Sequence, residues 1–298
     1  MKKTVLDQLD MKILSGLSKN SRISYNSLGK KIGLTAKSIR ARIKNMQSNG
    51  VLIGFDAIMN WSILGYTKFY LLTLRVKQGD QHVQGSLRLL GDIVAKIDGL
   101  GGVSMFLLAI RAEAEEKFDR LVEQLGQDLF ETQTIMIPLA KGELTRTDFK
   151  IISCLLDNPR MEISNIADQI TMSLKTVARR LNKIIENNFM TFSVHANIVA
   201  FRGYIVSVIF VKCEKEFSLA MLEDCVADIE DAFFIYIPWF IQRHTASGFY
   251  FTRDVFVLDS IIKKIESSPG VKKVILFFPT LCEYYNEEIT KFVQKKLS

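Results

Sequence analysis

The sequence lacks the features that mark membrane, secreted and low-complexity proteins. No apolar run approaches the roughly 20 residues of a membrane-spanning helix, and the longest, Ile205–Val211 and Ala232–Ile241, have the length of strands. The N-terminal residues contain no apolar stretch typical of a signal peptide, so we expect a cytoplasmic protein with no membrane partner. The 5 prolines and 17 glycines follow no period, which excludes collagen-like and low-complexity chains.

Residue types for metal binding and catalysis are also scarce. The 4 cysteines form no C-x-x-C pair, which favours reduced, buried thiols. The 3 histidines, His82, His195 and His244, have no metal-ligand spacing with each other or with the cysteines. No dinucleotide-binding glycine motif, P-loop, serine-hydrolase motif or zinc-protease motif occurs. We therefore expect no catalytic residue, no metal site and no cofactor.

An internal repeat organises the chain. Shifting the sequence against itself by 138 residues keeps one register from Asp10 to Tyr66 without a gap. The matched identities include Asp10 with Asp148, Leu17 with Leu155, Asn20 with Asn158, Lys37 with Lys175, Arg42 with Arg180, and Gly65-Tyr66 with Gly203-Tyr204. The chain is therefore predicted to contain two tandem copies of one two-part repeat.

The first part of each copy is predicted to be three helices followed by a strand hairpin, or wing. In the first copy the helices cover 7–18, a short segment capped by Ser24, and a third segment that Thr35 caps. The wing of this copy is predicted over Val51–Phe55 and Ala57–Met59. In the second copy the same elements are predicted at 145–157, 163–170, 173–187 and Phe189–Ile198. Two helices joined by a tight turn follow the helix-turn-helix plan.

The second part of each copy has the element order β-α-β-β-α-β, which is typical of the ferredoxin-like fold. The predicted elements of the first copy are Tyr66–Val76, 84–96, Ile97–Asp98, Val103–Ile110, 114–126 and Thr132–Pro138. Those of the second are Tyr204–Cys213, 217–228, Ala232–Phe240, Gly248–Thr252, 254–267 and Val271–Pro279, followed by an amphipathic helix over Glu283–Leu297 that covers a sheet edge. The predicted fold class is α+β. Two winged helix-turn-helix domains (1–60 and 143–198) alternate with two ferredoxin-like domains (61–142 and 199–298).

The net charge of +7 is unevenly distributed along the chain. Residues 1–55 contain 11 Lys and Arg against 2 acidic residues, a net charge of +9. The net charges of 56–142, 143–195 and 196–298 are −2, +1 and −1. Because neutralisation of phosphates drives DNA binding, this basic first module is the expected footprint of a double-stranded DNA partner.

Candidate DNA contacts follow from the third helix of the first module. Side chains near the start of a recognition helix reach base edges, so Lys37, Ser38 and Arg40 are predicted to lie in the major groove. The remaining candidates of this module are Arg22, Lys30, Lys31, Thr35 and Lys44. For Arg42 two interpretations stay open, a phosphate contact and an ion pair within the module to Asp10.

The second module has a basic third helix in near-neutral surroundings. Its candidate DNA contacts are Lys175, Thr176, Arg179 and Lys183. Three interpretations stay open for this module: reading of a weaker half-site, which we favour, a role in dimerisation, and a degenerate copy.

The helix-turn-helix residues resemble the Lrp/AsnC family of transcription regulators. The resemblance lies in Leu6-Asp7, Asp10-x-Lys-Ile-Leu-x-x-Leu17, Asn20-x-Arg-Ile-Ser24, Ile32-Gly-Leu-Thr-x-x-x-Ile39-x-x-Arg-Ile43 and Asn49-Gly-Val51. The sheet parts are similar in element order to the family's effector-binding (RAM) domain. The resemblance implies a DNA-binding regulator that reads a palindromic or near-palindromic operator as a dimer or higher oligomer. The two sheet domains are expected to pair within one chain as a pseudo-dimer, between two chains, or both.

The effector site of the family is where this sequence departs from the pattern. Family domains carry a glycine and an acidic residue between the third strand and the second helix. The matching stretches here, Ile110–Ala114 and Thr252–Val255, contain no glycine. Arg111 and Arg253 occur in both stretches and are candidates for contact with an anionic effector. A sheet-edge ion pair, in a domain that serves assembly alone, is the alternative.

Two other functions compete with DNA-binding regulation. Sirohaem decarboxylases resemble Lrp/AsnC proteins and use His and Arg of the sheet domain on their tetrapyrrole. No histidine here lies in the His-Asn-Tyr-x-Arg-like context of those enzymes, and the strand Val103–Ile110 contains none. The third candidate is an interaction protein that has lost DNA binding.

Overall fold

The computed structural model describes residues 5–76, 81–125, 129–214, 218–229, 232–241 and 244–298. The chain divides into two compact units. The first unit joins Met1–Phe55 with Ser193–Leu281, and the second joins Asp56–Phe192 with Cys282–Ser298. Each unit therefore combines segments that are far apart in sequence, with a helical module from one copy and a sheet from the other.

The chain combines helical modules with antiparallel sheets, which confirms the predicted α+β class. In chain order the helices of the described residues are α1 (Gln8–Lys19), α2 (Tyr25–Ile32), α3 (Ala36–Ser48), α4 (Gln81–Arg88), α5 (Glu115–Leu125), α6 (Arg146–Asp157), α7 (Ile163–Gln169), α8 (Leu174–Glu186), α9 (Leu219–Ala227), α10 (Val255–Glu266) and α11 (Glu287–Leu297). The strands are β1 (Leu52–Met59), β2 (Lys68–Arg75), β3 (Asp92–Gly99), β4 (Val103–Ala109), β5 (Leu129–Met136), β6 (Met190–Ala196), β7 (Ile205–Cys213), β8 (Phe233–Ile241), β9 (Thr245–Thr252), β10 (Val271–Phe277) and β11 (Pro279–Tyr284).

Capping side chains and one glycine delimit the helices of the first module, α1–α3. Asp7 and Asp10 form a capping box at the start of α1, in which the Asp10 N–H donates to Asp7 Oδ1 at 2.9 Å. Gly33 ends α2 in the left-handed region at φ 75°, which costs glycine little strain. Thr35 Oγ1 then caps α3 by accepting from the Ser38 N–H at 3.1 Å. The same three-helix plan recurs in the second module, α6–α8.

The second unit contains a five-stranded sheet of order β11-β3-β4-β2-β5. Without β11, this order and its antiparallel pairs are those of the ferredoxin-like fold. Leu72 and Phe106 from the strands pack with Leu87 of α4 and Phe118 of α5 in one apolar core. Both helices therefore cover the same face of the sheet.

The first unit contains a four-stranded sheet of order β10-β7-β9-β8. Its pairs are antiparallel as well, and it repeats the ferredoxin-like order. Ile209 of β7 and Tyr250 of β9 pack with Leu222 of α9 and Ile261 of α10. Burial of this apolar side-chain surface is the main favourable contribution to the stability of such a layer.

Each module packs on a different element within its own unit. In the first unit α1 lies on β8, and Ser15 Oγ donates to the Phe234 carbonyl at 2.9 Å. In the second unit α6 lies against α11, where the ring centroids of Phe149 and Phe292 are 5.9 Å apart. The two copies of the repeat are therefore supported in unequal ways.

The predicted wing of each module is wrong in its internal pairing. Instead of a hairpin, β1 and β6 are single strands that pair with each other. The Asn60 N–H donates to Phe189 O at 2.9 Å at one end, and the Asn197 N–H donates to Val51 O at 2.8 Å at the other. Asp56, at which the two strands of the first wing were expected to separate, lies inside the single strand β1. Local sequence did not predict this long-range pairing.

Two other predicted elements need correction. The helix expected over 84–96 ends at Arg88, and β3 begins at Asp92 rather than at Ile97. Gly91 marks the change, because a Cβ there would lie 2.3 Å from the Ala109 carbonyl oxygen of β4. The helix expected from Glu283 begins only at Glu287, because Glu283 and Tyr284 are the last residues of β11, a strand that was not predicted and that pairs with β3. In the part of the chain that is described, no helix has the length and apolarity to cross a membrane.

Candidate nucleic-acid interface

The basic side chains of α3 lie on one exposed face. Ile39, Ile43 and Met46 are buried in the module, whereas Lys37, Arg40 and Lys44 are exposed. Spacings of three and four residues place these last three side chains on a common helical surface. Ser38 is half-buried, and Thr35, the exposed cap, has a hydroxyl that accepts from the Ser38 N–H.

Residues before and within α2 extend this surface. Lys30 and Lys31 are exposed in the last turn of α2, and Arg22 is half-buried in the preceding turn. The guanidinium of Arg40 lies 5.7 Å from the ring centroid of Tyr25, the first residue of α2. This cation–π contact orients Arg40 relative to the turn. Sequence reasoning missed Tyr25, because the contact joins two helices.

Arg42 ties α3 to α1, which decides between the two interpretations of this residue. Its Nη1 lies 2.7 Å from Asp7 Oδ2 and 2.8 Å from Asp10 Oδ1. The equivalent Arg180 lies 3.0 Å from Asp148 Oδ1, and its Nη1 also donates to the Thr145 hydroxyl at 2.9 Å. In both modules this arginine holds the recognition helix on the first helix.

The Asp148 ion pair makes the stability of the second module depend on pH. Burial favours the protonated acid, but hydrogen bonds from Thr145 and from Arg180 outweigh it and hold the pKa of Asp148 below its ordinary value of 3.8. The unfolded chain therefore binds this proton at higher pH than the folded chain. The contribution to stability is complete well above pH 3.8 and is lost as the pH falls through the lower folded pKa.

We expect the urea midpoint to fall between about pH 5 and pH 2, in part because of this carboxylate. The Asp148→Asn variant, less stable at neutral pH, is expected to approach the wild type as the pH falls. Urea titrations of both proteins across this range measure the difference. Parallel pH profiles for the two proteins would contradict the assignment to Asp148.

The second module presents a comparable but less basic surface. Ser173 Oγ caps α8 by accepting from the Thr176 N–H at 3.2 Å, and the two hydroxyls are hydrogen-bonded at 2.8 Å. Lys175, Arg179 and Lys183 are exposed at spacings of four residues and form one stripe along α8. The three predicted cations of this module therefore lie together on its exposed side, and Thr176 is half-buried.

The turn before α8 differs from its counterpart in chemistry. The repeat places Asp168 where the first module has Lys30, and Thr171 where it has Gly33. Thr171 adopts the left-handed region at φ 56°, which strains a β-branched residue. The second module thus has an anion in place of a cation in the last turn of its second helix, α7, and a strained backbone at Thr171 in the turn that follows.

Arg111 and Arg253 occupy equivalent positions in the two units, although the repeat register does not align them. Arg111 lies 4.8 Å from the ring centroid of Tyr66 and donates to the Leu64 carbonyl at 3.3 Å. Arg253 lies 4.0 Å from the ring centroid of Tyr204 and donates to the Gly203 carbonyl at 2.9 Å. Each arginine therefore packs on the tyrosine of the repeated Gly-Tyr pair.

The two tyrosines have different further partners. The Tyr66 hydroxyl donates to Asp92, and burial together with this hydrogen bond raises the pKa of Tyr66. Tyr204 instead packs edge-on against Phe233, with ring centroids 6.0 Å apart. Arg253 also donates to the Leu6 carbonyl at 3.4 Å, immediately before α1. This last contact joins the sheet domain to the start of the first module in the first unit.

Histidines and acidic residues form no recognised metal cluster in the described ranges. Across those residues no group of three His, Cys, Asp or Glu side chains is placed to hold a metal ion. His195 lies in β6 and His244 is exposed just before β9. The side chain of His82 is outside the described part of the structure.

Comparisons with known proteins match the two modules separately. Residues 6–47 match the AsnC-type helix-turn-helix domain, and residues 144–189 match a winged helix-turn-helix DNA-binding domain. The chain is 29% identical over 122 residues to the HTH-type transcriptional regulator Ptr1 of Methanocaldococcus jannaschii, covering 41% of this chain and 82% of that protein. It is 27% identical over 149 residues to the HTH-type transcriptional regulator FL11 of Pyrococcus furiosus, covering 49% and 98%.

Among solved structures, the siroheme decarboxylase NirDL aligns with 97% of this chain and 98% of its own, at a TM-score of 0.45 and 15% identity.

Proposed function

Since the chain is a DNA-binding transcription regulator of the Lrp/AsnC type with two helix-turn-helix modules in tandem, we propose that both modules read one operator. The first module supplies most of the affinity, and the second reads a weaker half-site. The observation that carries this proposal is the exposed basic face of α3, in a module with a net charge of +9.

The contacts proposed for the first module follow from its geometry. Lys37 and Arg40 enter the major groove near the start of α3, with Ser38 beside them. The phosphate contacts proposed for this module are Arg22, Lys30, Lys31, Thr35 and Lys44. The exposed cations of this set, Lys30, Lys31 and Lys44, are proposed to neutralise phosphates beside the groove.

The second module is proposed to bind more weakly because fewer cations surround its recognition helix. Lys175, Thr176, Arg179 and Lys183 are the proposed contacts. Asp168 stands at the position of Lys30 and repels phosphate. An operator of two unequal half-sites, rather than a perfect palindrome, suits this pair of modules.

The sheet domains are proposed to serve assembly. Both faces of β2 carry buried apolar side chains, Phe69 and Leu71 on one face and Tyr70 and Leu72 on the other. Such strands favour burial of both faces, and we propose self-association through the sheets, within one chain or between two.

We propose 1–60, 61–142, 143–198 and 199–298 as the domain boundaries. Arg111 and Arg253 remain candidates for an anionic effector.

We propose that the protein is not an enzyme. The strand β4, whose counterpart would supply a catalytic histidine in a sirohaem decarboxylase, reads Val-Ser-Met-Phe-Leu-Leu-Ala. Incubation with sirohaem tests this alternative, and a shift of the tetrapyrrole absorption bands would favour it. We propose a cytoplasmic location.

A gel-shift titration with promoter DNA, including the region upstream of the protein's own gene, tests the proposed function. We expect binding that survives non-specific competitor DNA and weakens as salt increases. If the proposed phosphate contacts Lys30, Lys31 and Lys44 each neutralise one phosphate, the first module alone gives the plot of log K against log salt a slope of about −3. Binding without sequence preference, or without dependence on salt, would contradict the proposal.

A further inference from the structure

The recognition helices of the two modules begin with different side chains. The first residue of α3 is Ala36, whereas the equivalent first residue of α8 is Leu174, which is 57% exposed. Met172, in the turn before α8, is 37% exposed. Two large apolar side chains therefore stand in solvent at the end of the helix that is nearest to the bases in a helix-turn-helix complex.

The exposed side of α8 beside this apolar pair is basic. Lys175 follows Leu174 directly, and Arg179 and Lys183 continue along the exposed side of α8. Cations at these positions attract a phosphate backbone, so DNA is the partner that fits the charge around the apolar pair. In the major groove the thymine C5-methyl is the principal apolar group, because the other base-edge groups are hydrogen-bond donors or acceptors.

The first module presents a different chemistry to the bases. Lys37 and Arg40 are suited to the O6 and N7 acceptors of guanine. At the position of Arg40 the second module has Ala178, and the adjacent Arg179 takes the place of Ala41. The cation that reaches bases near the start of α3 is therefore displaced around the axis of α8 by one residue, about 100°.

We propose that Leu174, assisted by Met172, recognises thymine methyl groups, so that the second module selects a thymine-containing half-site and the first a guanine-containing one. This inference rests on the proposed function. It assigns base preference to side chains and predicts that the two halves of the operator differ in composition.

Replacement of thymine by deoxyuridine tests the proposal, because it removes the C5-methyl and retains the base pair. The probe is duplex DNA selected from a random pool by the full-length protein, with thymines replaced one at a time. We expect affinity about fourfold lower for each contacted methyl, which corresponds to about 0.8 kcal/mol. The effect is expected in one half-site.

The Leu174→Ala variant, measured on both the thymine and the deoxyuridine probe, tests whether the side chain and the methyl group act together. It is expected to bind the thymine probe about as weakly as the wild type binds the deoxyuridine probe, and to be insensitive to the replacement. Leu139→Ala is the matched control, because Leu139 is 67% exposed outside both recognition helices. This control is expected to retain sensitivity to the methyl group. Circular dichroism of both variants checks that the fold is intact.

The outcomes separate this inference from the function on which it rests. If the wild type selects no sequence, the proposed function is wrong. If it selects a sequence but every deoxyuridine replacement leaves its affinity unchanged, only the thymine inference is wrong. Equal loss of affinity by Leu174→Ala on both probes would also overturn the inference, since the side chain would then act through something other than the methyl group.

Discussion

Replacement of Lys37 and Arg40 together by glutamate is expected to reduce specific DNA affinity at least about 100-fold. Each side chain contributes about 1–3 kcal/mol if it contacts a base edge as proposed, and each reversal adds repulsion from phosphates. Both side chains are exposed, and the buried stripe of α3 consists of Ile39, Ile43 and Met46. The fold is therefore expected to remain intact. Gel-shift titration gives the affinity, and circular dichroism gives the helix content.

A matched control separates local contacts from overall charge. Lys117→Glu with Lys295→Glu changes the net charge by the same four units, at exposed positions on α5 and α11. This control is expected to weaken binding only slightly, because exposed charges farther away than about 10 Å are largely screened at 0.1 M salt. If the control and the α3 variant lost equal affinity, the effect would be one of net charge and α3 would not be the recognition helix.

The helices of both modules were predictable because their signals are local. Ser24, Thr35 and Ser173 each stand at a helix start and accept from a backbone N–H three residues later. The apolar stripe of α3 repeats at helical spacing, and its members are the residues that the structure buries. A helix cap and an apolar stripe can be recognised without knowing which distant residues they contact, so the sequence was sufficient to predict these helices.

The pairing of β1 with β6 was not predictable in this way. Two short apolar runs separated by Asp56 suggested a hairpin, because a hairpin is the shortest way for such strands to pair. The partner in the structure lies more than 100 residues away, and nothing in the pattern of β1 identifies it. For the same reason β11 was not predicted, because the strand with which it pairs, β3, lies far away in sequence.

The features of the candidate interface were also predictable where they depend on local sequence, and not where they depend on contacts between distant residues. The exposed basic positions of α3 followed from helical spacing, whereas the contacts of Arg42 with Asp7 and Asp10 needed the packing of two helices. Arg111 and Arg253 were matched by their place between the third strand and the second helix of each sheet domain. Their contacts with Tyr66 and Tyr204 could not be predicted, because they join residues that are distant in sequence.

Replacement of Ile289 and Val293 by alanine is expected to destabilise the second unit by roughly 4–6 kcal/mol. Both side chains are 2% exposed on α11, the helix that packs against α6, and removal of buried aliphatic groups leaves cavities beside Phe149. The expected loss is a large fraction of the 5–15 kcal/mol typical of a folded protein. Urea unfolding gives the stability, and hydrogen exchange resolves where protection is lost.

The pattern of protection is what distinguishes this prediction from general destabilisation. The amides of α6 and α8 are expected to lose protection, while those of α1 keep theirs, because α1 packs on β8 through Ser15 and does not depend on α11. The double replacement of Gln294 and Lys295 by alanine, exposed on the same helix, is the control and is expected to leave both regions protected. Equal loss of protection in α1 and α6 would show that the two modules depend on the same support, contrary to their unequal packing.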